Sequence, residues 1–144
     1  MGLNVSVTKG SHSLLAMQAP TTVLLSIRPR FAQAILDGRK KFEFRRILYR
    51  HSGVSRVVIY ASSPLQRVIG EFSIAAVHSL PPKELWRRTH KHAGIDQSYF
   101  ASYFEGCNLG HALEVGASTR YKKPLQLKVA CGINRPPQSF CYLD

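Results

Sequence analysis

The sequence has few acidic residues. Of its 144 residues, 8 are Asp or Glu, against 20 Lys or Arg, so the formal net charge is +12. Such an excess favours an anionic partner, most often nucleic acid and less often an acidic membrane surface. A basic surface that serves solubility alone is the alternative. The charge therefore indicates what the protein attracts and leaves its chemistry open.

Long apolar runs and paired cysteines are also missing. No apolar run approaches the ~20 residues that a membrane span needs, and residues 13–17 are too short an apolar segment for a signal peptide. Cys107, Cys131 and Cys141 have no metal-ligand spacing and leave one cysteine unpaired in any disulfide scheme. We expect reduced thiols, no metal, no cofactor, no membrane association and a cytoplasmic location.

The length fits one domain. Residues 1–20 show no periodicity, which predicts a flexible N-terminal arm, and Met17 is an alternative start. Residues 21–144 are predicted to form a single domain of strand, helix, several strands, two helices and strands again. Because strands do not alternate with helices, this order predicts an α+β fold with a small, mostly antiparallel β-barrel and flanking helices. The oligomeric state stays open.

Local patterns place the individual elements. Residues 41–45 alternate, which predicts a strand with Phe42 and Phe44 in the core and Glu43 and Arg45 on the opposite face. The other predicted strands cover residues 23–27, 57–60, 68–77, 111–115, 125–129 and 140–142, and Gly70 indicates a bulge or a close backbone approach. Helices are predicted to begin at Pro29, near Pro81 and after Asp96 as N-cap.

The densest charge cluster is 38–46, where five of nine residues are basic. A solvated strand face, on which Glu43 compensates its neighbours, is one interpretation. However, Gly38, Lys40, Glu43 and Arg45 follow the order G-x-K-x-x-E-x-R. This order resembles the signature of the ASCH domain, a member of the PUA-like superfamily. Segments 26–38, 60–72 and 136–140 are similar to other parts of that family, so the resemblance runs from about residue 22 to the C-terminus.

The resemblance implies a PUA-like β-barrel that binds RNA in a cleft beside the barrel. Carried over to this chain, it places Lys40, Glu43 and Arg45 in that cleft. Further binding candidates, from their positions beside the motif or at the end of the next strand, are Arg46, Tyr60, Ser62 and Ser63. We therefore predict that single-stranded RNA or a nucleotide-like ligand is the partner.

The chemistry of these side chains suits such a ligand. Lys40 and Arg45 are suited to phosphate, the arginine bidentately. Glu43 repels phosphate, so it would accept a hydrogen bond from a base edge or ribose hydroxyl, or orient a basic neighbour. Tyr60 would stack on an unpaired base or, equally, pack in the core.

A hydrolase of the same family is the alternative function. Some relatives look like acetylcytidine amidohydrolases, and ribonuclease activity has been proposed for others. The amidohydrolase branch implies a motif lysine and a nearby threonine. Lys40 matches, but Lys41 and Glu43 stand where threonines belong, and the next threonine is Thr89. Lys40 and Glu43 are the candidate acid–base pair. A non-catalytic module that meets an acidic protein is the third hypothesis.

One aromatic stripe is predicted to be structural. Tyr99, Phe100, Tyr103 and Phe104 have helical spacing, which is more typical of core packing than of a base-stacking surface.

Overall fold

The computed structural model describes residues 19–144, so almost all of the predicted N-terminal arm lies outside the described residues. The elements, in chain order, are β1 (Thr22–Ile27), α1 (Pro29–Leu36), β2 (Phe42–Arg45), β3 (Arg56–Ala61), β4 (Arg67–Leu80), α2 (Pro82–Thr89), a 3₁₀ turn (His90–His92), α3 (Gln97–Tyr103), β5 (Gly110–Leu125), α4 (Leu127–Cys131) and β6 (Phe140–Tyr142). Within residues 19–144, no helix is long and apolar enough to cross a membrane.

Six strands form one curled half-barrel sheet in the order β2-β5-β4-β3-β1-β6. Strands β1 and β3 run parallel, and every other neighbouring pair of these strands is antiparallel. The helices flank this sheet. The predicted α+β class and the mostly antiparallel, barrel-like architecture are therefore confirmed.

The central strands are buried on both faces. Val57 and Ile59 of β3 pack in an inner core, whereas Val58 and Tyr60 point to a second, outer core on the other face. A short, continuous apolar run is typical of such a strand, because neither face meets water. The burial predicted for residues 57–60 is confirmed.

A third cluster, the helical core, attaches α2 and α3 to the edge strand β2. Phe44 meets Phe100 edge to face at 5.2 Å between ring centroids, and Phe104 in the same way at 6.1 Å. The helix α3 begins as predicted, because the Asp96 side chain accepts a hydrogen bond from the Tyr99 amide at 2.8 Å. These contacts hold α3 beside β2 and create the site described below.

The prediction of a strand at residues 125–129 was wrong. Residues 125–129 do not form a strand of their own, since β5 continues to Leu125 and the helix α4 then ends at Gly132 with φ of 73°. Leu127 and Cys131 are four residues apart and both contact the outer core, as residues on one face of a short helix do. The bulge predicted at Gly70 is confirmed by a register shift between Val68 and Gly70.

Candidate functional site

A cleft of about 230 Å³ opens between the end of β1, strand β2 and helix α3. The side chains around it combine positive charge, aromatic rings and one carboxylate. They belong to Ser26, Ile27, Arg28, Phe31, Glu43, Phe44, Arg45, Ile95, Tyr99, Tyr103 and Gln138. The structure therefore brings two of the predicted site residues, Glu43 and Arg45, together in one cleft.

Glu43 and Arg45 form a largely buried ion pair on one face of β2. Arg45 Nη1 donates to Glu43 Oε2 at 3.1 Å, and the two side chains are 12% and 8% exposed. Arg45 Nη2 also donates to the Ser139 carbonyl at 3.0 Å and to Ser139 Oγ at 2.9 Å. Because Ser139 directly precedes β6, Arg45 joins the two edges of the open sheet. Glu43 thus orients Arg45, which is one of the two roles predicted for it. The alternative interpretation, a solvated strand face, is wrong because both side chains are largely buried.

Lys40 lies behind the cleft and does not line it. The residue is 2% exposed, and Nζ donates to the Ala93 carbonyl at 2.6 Å. Its ammonium sits 5.1 Å from the Phe31 ring centroid and 4.8 Å from that of Phe44. The predicted phosphate contact of Lys40 is therefore wrong, because these two rings separate the ammonium from the cleft.

Burial changes the acidity of Lys40. Desolvation of the ammonium lowers the pKa of Lys40 to about 8, and attraction to the Glu43 carboxylate offsets part of this effect. The stem of the side chain is held just as closely, because a Cβ at Gly94 would lie 2.6 Å from Lys40 Cγ. Lys40 therefore fixes the loop that carries Ala93 and Gly94, and this loop leads into Ile95 on the cleft wall.

The remaining predicted residues lie elsewhere. Arg46 is exposed, and its Nε donates to Cys107 Sγ at 3.3 Å. Tyr60 is 5% exposed in the outer core, which agrees with the packing alternative. Ser62 is tied by its amide to the Ile27 carbonyl at 2.9 Å, and Ser63 is exposed in the turn after β3. None of these four side chains lines the cleft.

Several cleft residues were not anticipated. Tyr99 and Tyr103 occupy the cleft side of α3, so the aromatic stripe is only half core, with Phe100 and Phe104 buried. The Tyr103 hydroxyl donates to the Phe44 carbonyl at 3.2 Å, and burial raises the pKa of Tyr103. The sequence contains a signal for this difference, because the two tyrosines share one helix face and the two phenylalanines another, and a hydroxyl favours the face that meets a cleft.

Arg28 is the accessible cation of the cleft. It is exposed at the start of α1, and it forms no ion pair with any acid of residues 19–144. Nearby, the Arg30 guanidinium lies 4.7 Å from the Phe31 ring centroid and 5.4 Å from that of Tyr99. The cleft thus offers an unpaired guanidinium, aromatic surfaces and a buried acceptor. In the described part of the chain, no three His, Cys, Asp or Glu side chains gather to hold a metal.

Fold and cleft together define an α+β half-barrel domain with a basic, aromatic-lined pocket at the end of its sheet. The ASCH domain family model matches residues 25–134, more than half of the chain. The protein therefore belongs to the ASCH domain family.

One curated relative and a solved structure agree with this assignment. The chain is 32% identical over 126 residues to the ASCH domain-containing ribonuclease of Zymomonas mobilis, covering 83% of this chain and 82% of that protein. The crystal structure of ASCH from Zymomonas mobilis superposes with a TM-score of 0.76 at 31% identity, covering 86% of this chain and 88% of the other.

A longer relative matches nearly the whole chain. The large ribosomal subunit protein uL22 of Ureaplasma parvum is 29% identical over 142 residues, which cover 96% of this chain and 44% of that protein. The chain thus spans less than half the length of that relative.

Proposed function

We propose that this protein binds single-stranded RNA, with one nucleotide seated in the cleft between β2 and α3. The supporting observation is the convergence there of the Arg28 guanidinium, two tyrosine rings and the buried Glu43 carboxylate. The guanidinium suits a phosphate, the tyrosine rings suit a base, and the carboxylate suits a ribose hydroxyl. The net charge of +12 supports the same class of ligand. A cytoplasmic location, where cysteines stay reduced, belongs to this proposal.

Each group has a distinct role in this proposal. Arg28 holds a phosphate, since its guanidinium is exposed and unpaired among the described residues. Tyr99 and Tyr103 provide the surface on which the base stacks. Arg45 engages Oε2 of Glu43, so Oε1 is assigned to a hydroxyl or amine donor of the nucleotide. Lys40 and the aromatic rings in front of it give the pocket its shape.

The test is retention of labelled single-stranded RNA over a series of salt concentrations. Arg28→Ala is expected to weaken binding and to reduce the slope of log K against log salt by about 1, because one phosphate contact is lost. Arg50→Ala is the matched control, since Arg50 is exposed in the loop against Tyr142, at the other end of β1. An unchanged slope in Arg28→Ala contradicts the proposed phosphate contact.

A second candidate function is cleavage of the bound RNA. It is favoured by the 32% identity to a protein named a ribonuclease and by the place of Glu43 in the cleft. In this version Glu43 takes the proton of a ribose 2′-hydroxyl as that oxygen attacks the adjacent phosphorus, and the 5′-oxygen leaves with a proton from water. Arg28 stabilises the charge on the phosphoryl oxygens.

Cleavage is distinguished from binding with one substrate pair. RNA and the same strand with 2′-deoxyribose at every position are incubated with wild-type protein and Glu43→Gln. Cleavage of the RNA alone, lost in Glu43→Gln while retention persists, establishes the ribonuclease. Retention without cleavage leaves a binding module.

The amidohydrolase alternative finds less support. The first threonine after the motif, and so the first substitute for its missing nucleophile, is Thr89. This residue is 1% exposed, and its hydroxyl donates to the Leu85 carbonyl within α2 at 2.8 Å. Acylated cytidine is therefore the substrate to assay only after RNA has failed.

A further inference from the structure

A second recess lies on the opposite side of α3 from the cleft. It occupies about 540 Å³ between α2 and α3, and Trp86, Phe100 and Ala101 contribute to its wall. Tyr99 and Ala101 are two residues apart, which is about 200° around a helix. The cleft and this tryptophan recess therefore flank the same helix, and one extended ligand can lie across both.

An incompletely buried indole forms the wall of the tryptophan recess. Trp86 packs against Phe100 with 4.9 Å between ring centroids and lies 5.9 Å from His90. Part of its surface stays open to solvent. Tryptophan combines a large apolar face with a polar edge, and such rings stack well on unpaired bases, each stack contributing about 1–3 kcal/mol.

The charge around this indole selects an anionic ligand. Lys83, Arg87 and His90 line the recess, and residues 82–92 carry four Lys or Arg against the single carboxylate of Glu84. Arg87 Nη1 donates to Glu84 at 2.5 Å, so this pair is neutral and the excess charge of the segment is carried by Lys83, Arg88 and Lys91. An aromatic wall with a cationic rim is the combination that single-stranded nucleic acid requires, because it offers both backbone and base contacts.

We propose that the tryptophan recess is a second nucleobase subsite for the same RNA strand that enters the cleft. This inference rests on the proposed RNA-binding function. A helix with its side chains is about 10 Å across, and an extended strand must cross α3 to place a base on each side of it. A dinucleotide is too short for this and reaches one subsite, whereas an octamer reaches both.

The experiment uses the intrinsic fluorescence of the protein. Trp86 is the single tryptophan of the chain, so its emission reports on the recess directly. The 144-residue protein is titrated with oligouridylates of two and eight nucleotides. Binding is followed in parallel by fluorescence anisotropy of end-labelled oligomers whose integrity is checked by electrophoresis. We expect the octamer to quench Trp86 and the dimer to leave its emission unchanged.

Variants at two positions, Trp86 and Lys83, test the contribution of the recess to affinity. Trp86→Leu is expected to lower the octamer affinity by about tenfold, as the loss of one stacked base does, and to leave the dimer affinity unchanged. Trp86→Phe retains most of the affinity. Because Trp86 packs on Phe100, folding is checked by circular dichroism. Lys83→Glu at the rim is expected to weaken octamer binding more than Lys128→Glu does, the charge-matched control at an exposed position on α4.

Each outcome separates this inference from the function on which it rests. If the octamer binds without quenching Trp86, or binds Trp86→Leu as tightly as wild type, the second subsite is overturned and the cleft stands. If neither oligomer binds, both proposals fail. If octaglutamate quenches Trp86 as the RNA octamer does, the recess takes an acidic peptide and the nucleobase assignment is overturned.

Discussion

The interior around Lys40 and the cleft beside it are separated by one layer of aromatic rings. Phe31 and Phe44 line the cleft, and the same two rings lie within 5.1 Å of the buried Lys40 ammonium. On the open side, Arg28 carries its charge into solvent. Two basic residues of neighbouring elements, Lys40 and Arg28, are therefore cations of different kinds. One kind holds the wall in place, and the other is available to a ligand.

The volume of the Lys40 side chain is expected to contribute strongly to stability. Lys40→Ala is expected to unfold with a free energy about 3 kcal/mol lower than that of Lys40→Met, because methionine fills the space of the buried stem and alanine leaves a cavity. Urea denaturation of the two variants measures this difference. Equal midpoints would show that the stem is not held as tightly as its 2% exposure indicates.

Gly94 tests the same interior from the other side. Gly94→Ala is expected to lower the free energy of unfolding by roughly 2–3 kcal/mol, because it combines a left-handed backbone with overpacking against Lys40. Here φ is +71°, and the new Cβ would lie 2.6 Å from Lys40 Cγ and 2.7 Å from Lys40 Cβ.

Gly38→Ala is the matched control for this substitution. Gly38 has φ of +80° and no atom within 4 Å of an added Cβ, so it carries the backbone strain alone. Thermal or urea unfolding of both variants therefore isolates the contact with Lys40. A similar loss of stability at the two positions would show that the contact with Lys40 contributes nothing to the effect of Gly94→Ala.

The pH dependence of stability distinguishes a buried ammonium from an exposed one. The pKa of Lys40 is about 8 in the folded protein and 10.5 when unfolded, so the unfolded chain binds more protons between these values and stability rises with pH. The expected gain from pH 7 to 9.5 is about 2 kcal/mol.

The variant Lys40→Met isolates this contribution. Burial raises the pKa of Cys131 and Cys141, and these thiols lower stability over the same pH range. The measured quantity is therefore the difference between wild type and Lys40→Met at each pH, from urea denaturation. A difference that does not change with pH would indicate an ordinary solvated ammonium.

A substitution at the solvent-exposed Arg28 is expected to change stability little. Arg28→Ala should change the free energy of unfolding by less than about 0.5 kcal/mol, as exposed substitutions without partners do. A larger loss in urea denaturation would place Arg28 among the residues that build the wall, and its weakened RNA binding would then be indirect.

Local pattern carried much of the fold. Alternation in residues 41–45 was sufficient to predict β2 with Phe42 and Phe44 in the core, because the side-chain period of a strand is local. The prediction of a strand at residues 125–129 failed, because the spacing of Leu127 and Cys131 suits a helix as well as a strand. Tertiary contacts with the outer core decided in favour of the helix.

The site was less accessible to sequence. Glu43 and Arg45 meet as i and i+2 on one strand face, which alternation predicts. The burial of Lys40 depends on Ala93, 53 residues later, and on a ring from α1, and no local period encodes such contacts. The cleft role of Tyr99 and Tyr103 depends in the same way on where α3 docks.

The reach of Arg45 to Ser139 has a consequence for how this sheet meets other chains. An open sheet presents unpaired backbone at both edge strands, and such edges template the addition of foreign strands. Here the short edges β2 and β6 face one another across a gap that a guanidinium spans. The Arg45 bridge between these edges, which also shapes the cleft, is expected to hinder the addition of a foreign strand at that point.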